Sequence, residues 1–269
     1  MLAPRLRQLK GEIVDRLEPY LELEDILQIE HQLDNPIADR PIRSEADAEA
    51  AANYLRLRWK LGINPIPNTL EMLEDQGVKV ILLEWHDDFD GLSSWVDGKI
   101  PVIIVNYKSD LPRMRFTALH ELAHLLLQFD TGVTNKFKEK CCNRFAGAML
   151  LPAEILLEEL GTNRSSIAFK ELISLKEYFG ISIACTVFRL IEVGVATKSL
   201  KRRYFEACEH DQDLKMERKH YGTYRGRERS VRFQQLLAKA YAQQLITLSK
   251  ASELSNQPVN ELQSIYKLL

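Results

Sequence analysis

The sequence lacks long apolar runs and any spaced set of cysteines. No stretch of its 269 residues approaches the roughly 20 apolar residues that a membrane-spanning helix needs, and its first residues intersperse acids with bases, unlike a secretory signal peptide. The four cysteines form no disulfide framework, because two are neighbours and two stand alone. These absences predict a protein of a reducing compartment, and we expect it to be cytoplasmic and without membrane contact.

The chain also lacks a large excess of charge of either sign. Its 36 lysines and arginines stand against 38 aspartates and glutamates, a net charge of −2, which argues against a strongly basic nucleic-acid coat protein. The balance is uneven, since residues 1–50 hold 6 basic and 12 acidic side chains, whereas residues 198–239 hold 12 basic and 6 acidic ones. The near-neutral sum therefore hides an acidic front and a basic rear segment.

Three runs rich in β-branched residues predict a small sheet. They are residues 78–84, 92–96 and 100–105. Asp97 and Gly98 form a strong hairpin signal between the last two runs. No alternation of strands and helices is visible, which disfavours a doubly wound parallel sheet. We therefore expect an antiparallel sheet of three strands.

The remaining sequence has mostly helical spacing. Apolar residues recur three or four apart from Leu2 to Leu17, and the pattern from Pro112 onward is almost wholly helical. Residues 198–229 interrupt it, because they are polar and basic with little periodicity. The sequence thus predicts an α+β fold with four parts: a helical N-terminal extension (1–43), a core domain (44–197), a basic linker (198–229) and a small helical C-terminal module (230–269).

The motif that carries chemistry is His-Glu-x-x-His, at residues 120–124. On a helix, His120 and His124 lie on one face, so both imidazoles can reach one metal ion. Glu121 is turned about 100° from His120 and can contact a water on that metal without ligating it. The apolar flanks predict a buried helix, where such polar groups are costly unless they are paired or ligated. The motif therefore supplies two ligands, a base and an open position for water, the parts of metal-assisted hydrolysis.

Candidates for a third ligand lie on the next predicted helix. Glu139 follows His124 by fifteen residues, across a turn-rich loop that can reverse the chain. Cys141 and Cys142 are the alternative, because thiolates bind zinc well, but two thiolates with two histidines would close the site to substrate. We favour Glu139. Asn143 lies one helical turn further on the same face and is a candidate to hydrogen-bond the outer nitrogen of a ligand histidine.

Together these motifs resemble the ImmA/IrrE family of bacterial metallo-endopeptidases. The resemblance rests on Arg113-x-Arg115-Phe116-Thr117-x-x-His120-Glu121-x-x-His124, on Glu139-x-x-x-Asn143-Arg144-Phe145-Ala146, on Met149-Leu150-Leu151-Pro152 and, upstream, on Asn64-Pro65-Ile66-Pro67. It covers roughly residues 44–195. One departure is Cys142, which stands where an alanine is usual in the family.

Membership of the family would imply a mainly helical, thermolysin-like zincin core. It would make His120, His124 and Glu139 the zinc ligands, with manganese as the other possible metal, and Glu121 the general base. The implied substrate is a specific regulatory protein, a helix-turn-helix repressor or an antitoxin. The resemblance is to the Xre-associated type without its N-terminal helix-turn-helix domain, and residues 1–43 look like the connector that follows such a domain.

The C-terminal module resembles a helical tail of longer relatives and looks like a small helix-turn-helix. It could bind DNA or a partner, or serve only in packing, and the scarcity of lysine and arginine on its last helices favours packing. A second hypothesis for the whole chain is a non-catalytic regulatory or toxin–antitoxin protein. In that case the metal site would be structural, and the tail would bind DNA or a partner.

Overall fold

The fold is mainly helical, with a small sheet along one side of the core. The computed structural model describes residues 2–30, 33–85 and 89–266, with side chains from residue 7 onward. The first elements are α1 (Leu2–Ile26), β1 (Pro41–Ile42), α2 (Glu45–Arg58), α3 (Thr69–Asp75), β2 (Lys79–Leu83), β3 (Gly91–Val96), β4 (Ile100–Asn106), α4 (Leu111–Leu126) and β5 (Gln128–Phe129). There follow α5 (Asn135–Leu150), α6 (Ala153–Leu160), α7 (Phe169–Phe179), α8 (Ile183–Glu192), α9 (Lys198–His210), α10 (Gln212–Lys215), α11 (Arg232–Ala242), α12 (Leu248–Ser255) and α13 (Val259–Ile265).

The sheet contains three strands in the order β2-β4-β3. β3 and β4 form the predicted antiparallel hairpin, and Asp97 and Gly98 have the positive φ values, 50° and 67°, that its tight turn requires. β2 runs parallel to β4, with Lys79 opposite Val102. The expectation of a purely antiparallel sheet was therefore wrong, although the α+β class is confirmed. β4 is the central strand of this sheet: the hairpin places β3 on one side of it, and the mostly buried β2 pairs with the other side in the parallel direction.

Helices α4 and α5 follow each other with the predicted reversal of the chain. The side chain of Asp110 accepts a hydrogen bond from the amide of Arg113 (2.8 Å) and begins α4, with Pro112 in the first turn. The hydroxyl of Thr134 accepts one from the amide of Phe137 (3.3 Å) and begins α5. The two helices pack directly on each other and form the centre of the main apolar core.

A buried ionic network fastens α5 to α2 and α8. Glu49 of α2 accepts hydrogen bonds from two guanidinium nitrogens of Arg189 in α8, each at 2.7 Å, and also from Arg144 of α5. Arg189 is 2% exposed. Burial opposes ionisation of Glu49, but Arg189 and Arg144 together outweigh it and lower the pKa of this carboxyl below its usual range. The three helices are therefore held in register by charges that are costly to leave unpaired.

The terminal helices pack against the sheet and against each other. Leu9 and Leu17 of α1 join an apolar cluster with the sheet residue Ile81. Tyr20 and Leu23, further along α1, join another cluster with α11, α12 and α13. Helix α1 thus contacts both the sheet and the C-terminal helices, while the predicted domain boundaries stay a prediction. No described helix is long and apolar enough to cross a membrane.

The stretch 198–229, expected to be a linker, contains α9, α10, a 3-10 turn at Lys219–Tyr221 and a segment without regular secondary structure. Leu200, Tyr204 and Cys208 repeat every four residues and are buried on one face of α9. This periodicity is easily missed, because most of the residues between and beside the three are polar or charged.

Replacing Glu49 by alanine tests the ionic network. We expect Glu49→Ala to lower the free energy of unfolding by about 3–5 kcal/mol, because it leaves the buried Arg189 with only Glu192 as a carboxylate partner and removes the carboxylate that Arg144 contacts. Urea denaturation followed by circular dichroism measures the change. The control is Glu45→Ala, which removes only a half-exposed ion pair with Lys140 (3.8 Å) and should cost less than about 1 kcal/mol. Equal losses in the two variants would show that the network does not stabilise the fold.

Candidate metal centre

Three side chains from two helices bring metal-binding atoms together at one point. His120 and His124 lie on α4, and their Nε2 atoms are 3.1 Å apart. Glu139, from α5, places Oε2 3.2 Å from Nε2 of His120 and Oε1 3.5 Å from Nε2 of His124. The structure thus gathers the two histidines of the motif and the favoured third residue into one cluster.

The separations within this cluster suit a metal ion. Zinc holds nitrogen and oxygen ligands at about 2.0–2.1 Å in a tetrahedron, which puts neighbouring ligand atoms roughly 3.3 Å apart. The three measured separations of 3.1, 3.2 and 3.5 Å bracket this value. Two imidazoles and one carboxylate are also a donor set that zinc accepts, and manganese accepts the same atom types. The residues present therefore fit the metal that the sequence predicts.

The site opens to solvent. The side chains of His120, His124 and Glu139 are 15%, 30% and 53% exposed, respectively. A structural zinc site normally closes its coordination with four protein ligands, whereas a catalytic site keeps one position open. Three donors at an accessible surface match the second kind of site.

The two neighbouring cysteines point away from the Nε2 cluster. The sulfur of Cys142 lies 3.6 Å from Nδ1 of His124, on the outer side of the imidazole. Cys141 directs its sulfur towards the carbonyl of Ser44, 3.9 Å away. Burial, followed by the negative charge of Glu139, raises the pKa of the Cys142 thiol, and burial raises that of Cys141 to about 11. Because the thiolate is the metal ligand, this environment favours Glu139 over either cysteine.

The outer nitrogens of the histidines have different surroundings. Cys142, and not the predicted Asn143, lies beside Nδ1 of His124, and Asn143 itself is exposed on α5. Nδ1 of His120 is buried and has no hydrogen-bond partner among the described residues. A ligand histidine usually donates this second N–H to a neighbour. Among the described residues, only Nδ1 of His124 has such a neighbour, the sulfur of Cys142. The hydrogen bond that the sequence predicts from Asn143 to a ligand histidine is not formed among these residues.

Glu121 is held by the sheet. The hydroxyl of Ser93, in β3, donates a hydrogen bond to Oε2 of Glu121 at 2.7 Å. Strand and helix approach closely at Gly91, where a Cβ atom would lie 2.5 Å from Cγ2 of Thr117 and 2.8 Å from the carbonyl oxygen of Ile104. Any side chain at this position would push the strand away from α4. Gly91 and Ser93 therefore hold the carboxylate of Glu121, the residue that follows His120 in the sequence.

Ser93 was not a candidate in the sequence. Alternation along β3 places Gly91 and Ser93 on the same side of the strand, but it does not identify the helix that this side faces. The contact with Glu121 joins residues 28 positions apart. Only the packing of β3 on α4 reveals it.

Comparison with known proteins places this site in a metallopeptidase domain. Residues 73–190 match the peptidase M78 family model, described as the IrrE N-terminal-like domain. The matched range includes Ser93, both histidines and both glutamates of the site. The resemblance to the ImmA/IrrE family is thus confirmed over these residues.

A solved structure also resembles the chain at a lower level. A "Mycobacterium tuberculosis transcriptional regulator" is 18% identical, with a TM-score of 0.40, over 64% of this chain and 51% of that chain. This protein thus spans about half the length of that regulator. No curated protein matches the sequence significantly.

Measurements of zinc binding by variants distinguish Glu139 from the two cysteines as the third metal ligand. We expect about one zinc per chain, and Glu139→Ala should weaken zinc binding by more than the roughly 10–100-fold that loss of a supporting hydrogen bond costs. The double variant Cys141→Ser with Cys142→Ser should bind within about tenfold of wild type, because neither sulfur faces the cluster. Competition with a fluorescent zinc chelator measures both. The opposite order of effects would assign the metal to the cysteines.

Proposed function

We propose that the protein is a zinc-dependent endopeptidase of the His-Glu-x-x-His type, which cleaves a specific bacterial regulatory protein. The observation that carries this proposal is the open cluster of His120, His124 and Glu139 with Glu121 in the same motif. The match of residues 73–190 to a metallopeptidase family supports it.

The chemistry divides between the metal and the protein side chains. When bound, the metal would lower the pKa of a water molecule and polarise a peptide carbonyl. Glu121 would take the proton from that water and later deliver it to the leaving nitrogen. Ser93 occupies Oε2 of Glu121, so Oε1 is the oxygen that would exchange the proton. The hydrogen bond from Ser93 would thus set the orientation of the base.

An extended substrate can reach this site along β3. Within the described sheet, β3 pairs only with β4 and so has a free edge, and it packs against α4. A peptide that adds to a free edge gains backbone hydrogen bonds and presents alternate side chains to the protein. Ser93 contacts Glu121 from this same strand, so a peptide paired with β3 would run beside the proposed base.

The substrate class follows from the family resemblance. A helix-turn-helix repressor or an antitoxin is the substrate which that resemblance implies. A domain of this kind would need to expose an extended segment, because a peptide bond within a helix cannot pair with a strand edge. The proposed enzyme is therefore selective for a partner with a mobile or locally unfolded segment.

A non-catalytic regulatory or toxin–antitoxin protein is the alternative function. It would need the metal only for structure, and a closed set of four ligands would serve best. The exposure of the cluster and the position of Glu121 favour catalysis. A wild-type protein that is loaded with zinc and binds its repressor without cleaving it would support the alternative.

Replacing the proposed base tests catalysis directly. Glu121→Gln should bind zinc as wild type does but lose about 10²–10⁴-fold in cleavage rate, because the amide cannot accept the proton. The test substrate is a helix-turn-helix repressor from the source organism, and the appearance of fragments on a gel is the readout. Cleavage by Glu121→Gln at the wild-type rate would rule out the proposed mechanism.

The hydrogen bond from Ser93 to Glu121 can be tested with a substitution of Ser93, for which the neighbouring Ser94 provides a matched control. Ser93→Ala should slow cleavage by about 10–100-fold, the usual effect of losing a supporting hydrogen bond at a metal site, while zinc content stays at the wild-type level. Ser94→Ala, at an exposed position on the same strand, should cleave normally. If both variants cleave equally well, Ser93 does not orient Glu121.

A further inference from the structure

Residues 222–230, here called the strap, form a segment without helix or strand before α11, with a bend at Gly226. Burial alternates along the strap: Tyr224 and the side chain of Glu228 are buried, whereas Arg225, Arg227 and Arg229 are exposed. This period of two is typical of an extended chain with one face on the protein. The strap therefore presents a row of three arginines to solvent.

Buried polar contacts fix the inner face of the strap. Glu228 accepts hydrogen bonds from the amides of Thr69 (2.8 Å) and Leu70 (3.1 Å) at the start of α3. It also pairs with Arg115 of α4, and both of these side chains are fully buried. The ring of Tyr224 lies over the same guanidinium, 4.7 Å from its central carbon. The middle of the strap is thus bound to the helix that carries the metal site.

The backbone of the strap is fastened at both ends as well. The amide of Arg225 donates to the carbonyl of Glu177 at 3.1 Å. Asn68 accepts a hydrogen bond from the amide of Arg229 (3.3 Å) and donates to its carbonyl (2.9 Å). Ser230 donates to Glu74 at 2.6 Å. The arginines therefore extend from a backbone that is already ordered.

Two of the three arginines of the strap have no compensating charge within the described part of the chain. The strap itself, residues 222–230, contains three arginines and one acidic residue, Glu228, whose carboxylate is buried against Arg115. Arg225 pairs with Glu177 at 2.5 Å. Arg227 and Arg229 make no ion pair with any described residue. The guanidinium groups of Arg227 and Arg229 are therefore available to an anion. That of Arg225 becomes available when it releases Glu177.

We propose that the arginine row of the strap binds the phosphate backbone of a nucleic acid. Alternate residues of an extended chain lie at most about 7 Å apart, so the row from Arg225 to Arg229 is at most about 14 Å long. Phosphates of a duplex follow every 3.4 Å of axis on each strand, and the row meets several of them at once. Guanidinium groups suit phosphate oxygens, because they donate two parallel hydrogen bonds.

The chemistry of the outer face favours a nucleic acid over an acidic protein. Its exposed side chains are Thr223 and the three arginines, with no apolar member. A protein interface normally depends on a buried apolar or aromatic centre. Phosphate binding needs none, since it draws its free energy from charge neutralisation and counterion release. The fixed backbone lowers the entropy cost of holding the arginines in line.

This binding goes beyond the proposed peptidase activity and does not require the metal. The proposed nucleic-acid site lies on the strap, which the ion pair of Glu228 with Arg115 connects to α4. A peptidase held on DNA in this way would stand close to a repressor bound to the same DNA.

Fluorescence anisotropy with a labelled duplex DNA of 20 base pairs tests the proposal on the full chain. The variant Arg225→Gln, Arg227→Gln, Arg229→Gln should bind at least about tenfold more weakly at 50 mM salt. The slope of its plot of log affinity against log salt concentration should be smaller in magnitude than that of wild type by about 2–3, since each phosphate contact contributes about 0.9 to this slope. The matched control, Arg58→Gln, Lys99→Gln, Lys170→Gln, removes the same charge at exposed positions elsewhere and should retain wild-type binding.

Three results would overturn the proposal. The first is no binding of DNA, or of an RNA duplex of equal length, by wild type at 50 mM salt. The second is an equal loss in the strap variant and the control, which would mean that only total charge matters. The third is tighter binding of a peptide of ten glutamates than of either duplex, which would assign the row to an acidic protein. Unchanged circular dichroism and zinc content show that the outward substitutions leave the fold intact.

Discussion

The packing of α4 against α5 is the contact on which the rest of the structure depends. His120 and His124 need only the geometry of one helix to lie together. Glu139 comes from the other helix, and its side chain is half exposed, so its own burial does not hold it in place. The two helices hold it there, and a slide of α5 by one residue would move the carboxylate about 1.5 Å. The metal site is therefore only as well defined as this helix pair.

Two buried arginines connect the pair to its neighbours. Arg189 of α8 pairs with Glu49 of α2, which also accepts a hydrogen bond from Arg144 of α5. Arg115 of α4 pairs with Glu228 of the strap, which accepts hydrogen bonds at the start of α3. Burying such charges costs desolvation free energy, and apolar residues could fill the same space with less cost. Buried ion pairs, however, tolerate few alternative arrangements. We infer that they serve here to specify the register of the helices that position the site.

The sequence predicts the local parts of this design well. The spacing of His120 and His124, the turn at Asp97 and Gly98, and the reversal before Glu139 all follow from the preferences of short segments. Contacts between distant segments could not be derived in this way. The parallel pairing of β2 with β4, the hydrogen bond from Ser93 to Glu121 and the place of Cys142 beside His124 each depend on how separate elements pack. The strap shows the same limit, because its alternation becomes visible only once its inner face has a surface to lie on.

X-ray diffraction from crystals grown with zinc, measured on both sides of the zinc absorption edge, tests the central claim most directly. The account predicts one strong anomalous peak per chain, about 2.0–2.1 Å from Nε2 of His120, Nε2 of His124 and a carboxylate oxygen of Glu139, with its remaining position open to water. A peak bonded to the sulfur of Cys141 or Cys142, or no peak between the two helices, would contradict it.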